Sequence, residues 1–347
     1  MLKDFKGAEW VGKQVGAYKL LVEIGRGRSG VVFMGEHMQT HEKAAVKVCA
    51  PGRSNDTLLS AYRIMSKLAH PGLARVLHAG VLDDCVCVVM EYVRFRQSRP
   101  GAPAEGADMF TKTLSEFMQE QPGLIKESQA VDFICQLLDL LVYVHGYRDD
   151  DGAAMLHGGL HPNNILIEEH GTGIYRLRVT DFGLPRERGQ RGATDAYLSP
   201  EELQGKRPDQ SSDIYALGAI AYALLIGSPP ALPLLMPSEL RGDIPPGWDD
   251  IIKRCLAFEK HQRFADYEEL RRALLNVRSL HARKQAMRYA YAALGFAAVA
   301  AVAVAAFFAY KHLHRGDLVP IEPLLDEPQL AVYTHSGPAA LPPQPGL

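Results

Sequence analysis

Cysteine is scarce. The chain has five among 347 residues (Cys49, Cys85, Cys87, Cys135 and Cys255) and no Cys-x-x-Cys pair. An odd count without that spacing argues against a disulfide framework or a zinc site, and free thiols in a reducing cytosol are the expectation. An excess of charge of one sign is also missing. Lys and Arg number 38 against 40 Asp and Glu, a net charge of -2, so no nucleic-acid partner is expected. The first ten residues, MLKDFKGAEW, have no apolar run behind their charges and do not read as a signal peptide. No internal repeat stands out.

One uncharged apolar run does exist. YAYAALGFAAVAAVAVAAFFAY, Tyr289 to Tyr310, is half alanine and has aromatic residues at both ends. As a helix it would reach roughly 33 Å, about one hydrocarbon core. The alternative is an alanine-rich helix packed on its own domain. Arg271, Arg272, Arg278, Arg283, Lys284 and Arg288 precede the run, while only Lys311 and Arg315 follow it closely. That bias predicts a single-pass membrane protein with its N-terminal side in the cytoplasm. Residues 311–347 are rich in proline and read as a disordered tail.

Up to Val93 the pattern is strand-like. YKLLVEIG, GVVFMGEH and KAAVKVC are rich in apolar and β-branched residues and are separated by turn residues. TLLSAYRIMSKLA has helical spacing, with Ser54 or Asn55 placed to cap it. VLDDCVCVVMEYV reads as a hairpin turning near Asp83 and Asp84. RFRQSRPGAPAEGADMF then reads as a polar loop inserted over residues 94–112, and the acidic Asp149–Gly152 stretch as a surface turn. Its arginines, Arg94, Arg96 and Arg99, are candidates for an acidic partner if they are not simply solvated. The remainder is mainly helical: AVDFICQLLDLLVYVH, SDIYALGAIAYALLIG, WDDIIKRCLAF and DYEELRRALLNVRSL all follow the helical period. A β-rich part followed by a helical part implies an α+β chain of two lobes with a cleft between them.

Several residues carry chemistry. Gly25, Gly27 and Gly30 lie between two strand-like runs, where glycines let backbone amides approach phosphates, or simply form a flexible turn. Lys47 interrupts an apolar strand and is expensive to bury unless it meets an anion; an edge lysine in solvent is the alternative. Asp181 follows a β-rich run and suits a magnesium ion bridging phosphates, or caps a turn. Asn164 could add a neutral metal ligand or stabilise its loop.

Taken in order, the glycine turn, the strand lysine, the loop HGGLHPNN and the Asp-Phe-Gly of VTDFGLP resemble the protein kinase family, most nearly its bacterial membrane-anchored serine/threonine members. The resemblance implies a kinase-like fold, with a β-rich N-lobe holding one main helix and a mainly helical C-lobe, plus one C-terminal transmembrane helix. It sets a lead at 1–17 and the domain at 18–277 (N-lobe 18–90, hinge 91–93, C-lobe 94–277). A basic juxtamembrane segment at 278–288, the span at 289–310 and the tail complete the chain. It also implies ATP and Mg2+ as ligands and a protein as substrate or partner. By resemblance Met90 backs the adenine pocket, the backbones of Glu91 and Val93 meet the purine, and Val32 covers it. Glu201 in YLSPEE, Asp213 in SSDIYALG and Arg263 in HQRF resemble structural residues of the family.

The pattern then breaks. The family's loop reads His-Arg-Asp-x-Lys-Pro-x-x-Asn, and this one reads His157-Gly158-Gly159-Leu160-His161-Pro162-Asn163-Asn164. Gly159 takes the place of the aspartate that accepts the hydroxyl proton, His161 that of the lysine, and Gly158 that of the arginine. Counting back from His70 places Ala61 where the family has the glutamate that pairs with the strand lysine, and residues 57–69 contain no acid. Asp181 is the nearest substitute partner for Lys47. Three readings follow: an ATP-binding homologue with impaired phosphoryl transfer, an active serine/threonine kinase, or a scaffold that binds no nucleotide.

Overall fold

The computed structural model describes residues 7–27, 29–50, 54–96, 109–121, 124–148, 155–171, 173–184 and 194–313. The acidic stretch at 149–152, most of the 94–112 insertion and the tail beyond residue 313 lie outside the described residues. The chain divides into two units, Met1–Lys284 and Gln285–Leu347.

The apolar and β-branched runs pair as one antiparallel sheet. Strands β1 (Gln14–Val15), β2 (Tyr18–Gly27), β3 (Gly30–His37), β4 (Lys43–Cys49), β5 (Val76–Leu82) and β6 (Cys85–Glu91) lie in the order β1-β2-β3-β4-β6-β5. Side chains alternate across a strand. Ala44, Val46 and Val48 of β4 therefore join Leu20, Phe33 and Val89 in a cluster on one face, while Ala45 and Cys49 join the larger cluster on the other. Helix α1 (Asn55–Lys67) packs on β5 and β6, burying Leu58, Tyr62 and Met65 on that second face. Strands β5 and β6 meet through Asp83 and Asp84, both left-handed at φ 48° and 59°. That is the backbone a two-residue hairpin turn needs, and aspartate tolerates it.

The first face is not left bare. Trp10 and Val15 are buried in its cluster, and Leu20 exchanges backbone bonds with Gly12 and Lys13 at 2.8 and 2.9 Å. An apolar sheet face needs a cover, and the lead supplies it with a single tryptophan that shows no strand or helix period.

The C-terminal lobe is built on α2 (Leu114–Glu120), α3 (Glu127–Gly146), α4 (Pro200–Leu203), α5 (Gln210–Ile226), α6 (Pro237–Leu240), α7 (Gly247–Cys255) and the start of α8 (Tyr267–Leu313). Helix α5 is apolar on all sides because it is buried on all sides. Asp209 caps its N-terminus, and Gly227, at φ 85°, closes its C-terminus. The inserted segment differs from a plain loop at its ends, where β7 (Phe95–Arg96) pairs with β8 (Met109–Phe110). Strands β9 (Lys112–Thr113), β10 (Ile165–Glu169) and β11 (Tyr175–Val179) make a small sheet in the order β11-β10-β9. Backbone bonds from Val179 to Gly72 and from Ala74 to Val179, at 2.8 and 3.0 Å, tie β11 to the segment after α1. The residues following β11 are thereby carried to the inner face of the large sheet.

Within α8, Tyr289–Leu313 is 25 residues long with mean hydropathy 2.4, and its apolar side chains are exposed. By length and composition it can cross a membrane.

Candidate functional site

Strand β4 delivers Lys47 to the inner face, where only 3% of it is exposed. The anion that makes this burial tolerable is Asp181. Its carboxylate oxygens lie 2.8 and 2.7 Å from the Lys47 ammonium. Asp181 sits two residues past β11 with a left-handed backbone, φ 64°. Burial alone would raise its carboxyl; the charge and hydrogen bonds of Lys47 outweigh that and hold it below its ordinary value. Helix α1 offers Lys47 no acid. Its one acid, Asp56, is in the first turn, and Ala61 packs partly buried against the core. The sequence thus named both partners of the ion pair. It missed Tyr62, which is fully buried with its hydroxyl 3.3 Å from Asp181 Oδ1. Burial, then the nearby carboxylate, pushes the phenol well above its ordinary range, so it stays neutral and donates. One aromatic at helical spacing reads as core, and no signal in the sequence separates this one from the rest.

The loop His157–Asn164 is held from below. Asp213 on α5 accepts from the amides of His157 and Gly158 at 3.0 and 3.1 Å and from the Tyr267 hydroxyl at 3.3 Å. Burial pushes the Asp213 carboxyl up to about 6 against the pull of those bonds. The His157 ring is buried 4.5 Å from the Phe182 ring, and burial pushes it down to about 4, so it is neutral near pH 7. Gly158 and Gly159 have φ 65° and 153°, a region that side chains disfavour. The His161 carbonyl accepts from the Asn164 amide at 2.9 Å, and Asn164 Nδ2 lies 3.4 Å from the Gly159 carbonyl. The Asn164 carbonyl accepts from the amide and hydroxyl of Thr180, at 2.9 and 3.3 Å. Thr180 precedes Asp181, so the loop amide and the carboxylate are brought to adjoining backbone. Gly183 closes the arrangement by donating to the His157 carbonyl at 3.2 Å.

The three glycines are not equivalent. In the β2–β3 turn a side chain at Gly27 would meet nothing within 4 Å, and one at Gly25 would meet only the Val32 Cβ at 3.9 Å. A Cβ at Gly30 would lie 2.0 Å from the Val48 carbonyl oxygen. Gly30 is therefore required by the approach of β3 to β4, and Gly25 and Gly27 by nothing in their own packing. Arg26 of this turn is held by Glu23 at 2.7 and 2.8 Å.

At the stretch expected from the sequence to form the hinge, Met90 and Val93 are buried, and Val32 is half-buried. The Glu91 amide donates to the Arg75 carbonyl at 2.8 Å, and its carboxylate lies 3.6 Å from Arg178. The Val93 carbonyl accepts from the Thr111 hydroxyl at 3.1 Å. In the C-terminal lobe Glu201 and Arg263 form a buried two-bond pair, 2.8 Å each, with Ser212 also donating to Glu201 at 2.8 Å. Against burial, Arg263 leads in holding the Glu201 carboxyl down to about 2.

Among the described residues there is no cluster of three or more His, Cys, Asp or Glu side chains able to hold a metal alone. The oxygen donors of Asp181 and Asn164 suit magnesium, which is bound through one or two protein groups together with phosphates and water. The residues present therefore fit that ion only in company with a phosphate ligand.

The family model described as protein kinase domain matches residues 18–272. The probable serine/threonine-protein kinase PknB of Lactococcus lactis is 26% identical over 283 residues, 73% of this chain and 40% of that protein. Serine/threonine-protein kinase PrkC of Bacillus subtilis is 27% identical over 288 residues, 75% of this chain and 40% of that protein. The chain thus spans less than half the length of these relatives. Of solved structures, a double mutant of the PknI kinase domain of Mycobacterium tuberculosis superposes with TM-score 0.60 at 22% identity, covering 77% of this chain and 98% of that one. At that identity the likeness concerns the fold.

Proposed function

This chain belongs to the protein kinase family, and we propose that it is a membrane-anchored member that takes ATP into the cleft between its lobes but transfers phosphate poorly. The observation that carries the reading is the buried Lys47–Asp181 pair. A cation and a carboxylate are kept at the bottom of the cleft, while the loop facing them has Gly159 where the proton acceptor belongs.

Gly25 and Gly27 are open enough to present amides to a triphosphate. Lys47 turns from Asp181 to the phosphates, and Asp181 and Asn164 would hold magnesium. Held there, that ion would supply positive charge against the phosphates. Met90 and Val32 enclose the purine. By family resemblance the backbones of Glu91 and Val93 meet the purine; because the Glu91 amide and the Val93 carbonyl are bonded within the chain, the Glu91 carbonyl and the Val93 amide would serve. An acceptor followed by a donor complements the amino group and ring nitrogen of adenine.

Chemistry suffers at three points. A general base contributes ~100- to 10,000-fold, and position 159 has none. Position 61 has no acid to orient Lys47, and position 161 has an imidazole in place of a permanent cation. Phosphoryl transfer draws most of its acceleration from positioning and charge, so losses of both kinds compound. The functional output is then conformational: nucleotide closes the lobes and presents a surface to a partner protein. The apolar stretch at Tyr289–Leu313 anchors the chain, and the basic residues before it keep the kinase-like domain in the cytoplasm.

Calorimetric titration with ATP, with and without magnesium, tests binding, and a transfer assay on the same sample tests impairment. Saturable binding with little transfer supports the reading. Rapid transfer points to an active kinase, and no binding at millimolar ATP to a scaffold.

A further inference from the structure

We propose that Tyr62 is a positioning residue for Asp181, holding one oxygen of its carboxylate from helix α1 in place of a lysine–acid contact at position 61. The inference rests on the nucleotide reading above and deepens it.

Three observations carry it. Lys47 gives both of its close contacts to Asp181, and α1 has no acid beyond its first turn. The helix is nevertheless tied to the site, because the Tyr62 hydroxyl lies 3.3 Å from Asp181 Oδ1. The side chain is fully buried, with the Cys49 thiol as its other polar neighbour. Packing alone asks only for the ring. A hydroxyl carried into such a site must be matched, and the carboxylate matches it.

The phenol is a neutral donor. A second carboxylate at this place would repel Asp181, whereas the hydroxyl donates to one of its oxygens and leaves the other to a cation. Carboxylates that ligate metals are commonly held by such outer hydrogen bonds, and losing one typically weakens metal affinity by roughly 10–100-fold. Tyr62 would thereby link the placement of α1 to that of the Asp-Phe-Gly turn without touching the nucleotide.

The test is Tyr62→Phe in the full chain, with Tyr62→Met as a second variant lacking the hydroxyl. ATP affinity is measured across a magnesium titration and again in chelator, and amide hydrogen exchange is followed in the ligand-free protein. The magnesium concentration for half-maximal ATP binding should rise at least ~10-fold, with affinity in chelator unchanged. The Gly183 amide, bonded to the His157 carbonyl, should exchange faster while α1 stays protected. A side chain that only fills space would leave both readouts alone, and an unchanged magnesium dependence in a folded Tyr62→Phe overturns the proposal. If the wild type binds no nucleotide, the ATP reading falls, and the exchange arm alone decides Tyr62. Faster exchange at Gly183 upholds the tether, and unchanged exchange removes it.

Discussion

At the scale of single residues, the ion pair in the cleft changes what familiar substitutions mean. Removing one partner of a buried pair leaves a charge uncompensated and typically costs ~3–5 kcal/mol, whereas replacing both can be nearly neutral. Lys47→Met alone should therefore destabilise the protein as well as abolish nucleotide binding. Lys47→Met with Asp181→Leu should recover most of the stability and none of the binding, as urea unfolding and calorimetry would show. Position 159 has a similar double effect. At φ 153° a side chain carries backbone strain of ~1–3 kcal/mol. Gly159→Asp should lower stability by that order while raising residual transfer ~100-fold. A stable variant with unchanged transfer would mean that residue 159 is not the proton-acceptor position. Lys47, Asp181 and Asp213 were legible in the sequence because each sits in a short, distinctive pattern. Tyr62 was not, because its role lies in a hydroxyl 119 positions from its partner and its local pattern is that of any core aromatic.

At the scale of elements, the apolar and β-branched runs of β4 and β6, the helical period of α3 and the two-aspartate turn were all readable from local sequence. Features that depend on what packs against what were not. The glycine turn reads as one unit, yet Gly30 answers to the Val48 carbonyl while Gly25 and Gly27 do not. Gly30→Ala should force β3 from β4 and destabilise the protein far more than Gly27→Ala, measured by thermal unfolding. The role of the N-terminal lead is not legible from local spacing, because its contribution is one large ring and a few backbone bonds. Trp10→Ala should cost ~3–5 kcal/mol, visible in urea unfolding. A change below about 1 kcal/mol, the range of ordinary surface substitutions, would mean the lead does not seal the sheet.

At the scale of the whole molecule, the C-terminal lobe is pinned by an ion pair with a pH signature. The Glu201 carboxyl is held at about 2 in the folded protein against 4.5 ordinarily. A depressed carboxyl contributes stability that is complete above the ordinary value and fades as pH falls toward the folded one. The stability gap between wild type and Arg263→Met should be constant near neutral pH and close between pH 4.5 and about 2. These bonds hold the framework of the C-terminal lobe independently of which residues stand at positions 159 and 161. The central claim is that the cleft still grips a triphosphate that it processes slowly. Phosphorus NMR of ATP and magnesium with the purified full chain in detergent reads both parts at once. The account predicts phosphate resonances that shift to a one-to-one endpoint while ATP stays intact. Resonances that never move, or ATP converted quickly to ADP, would contradict it.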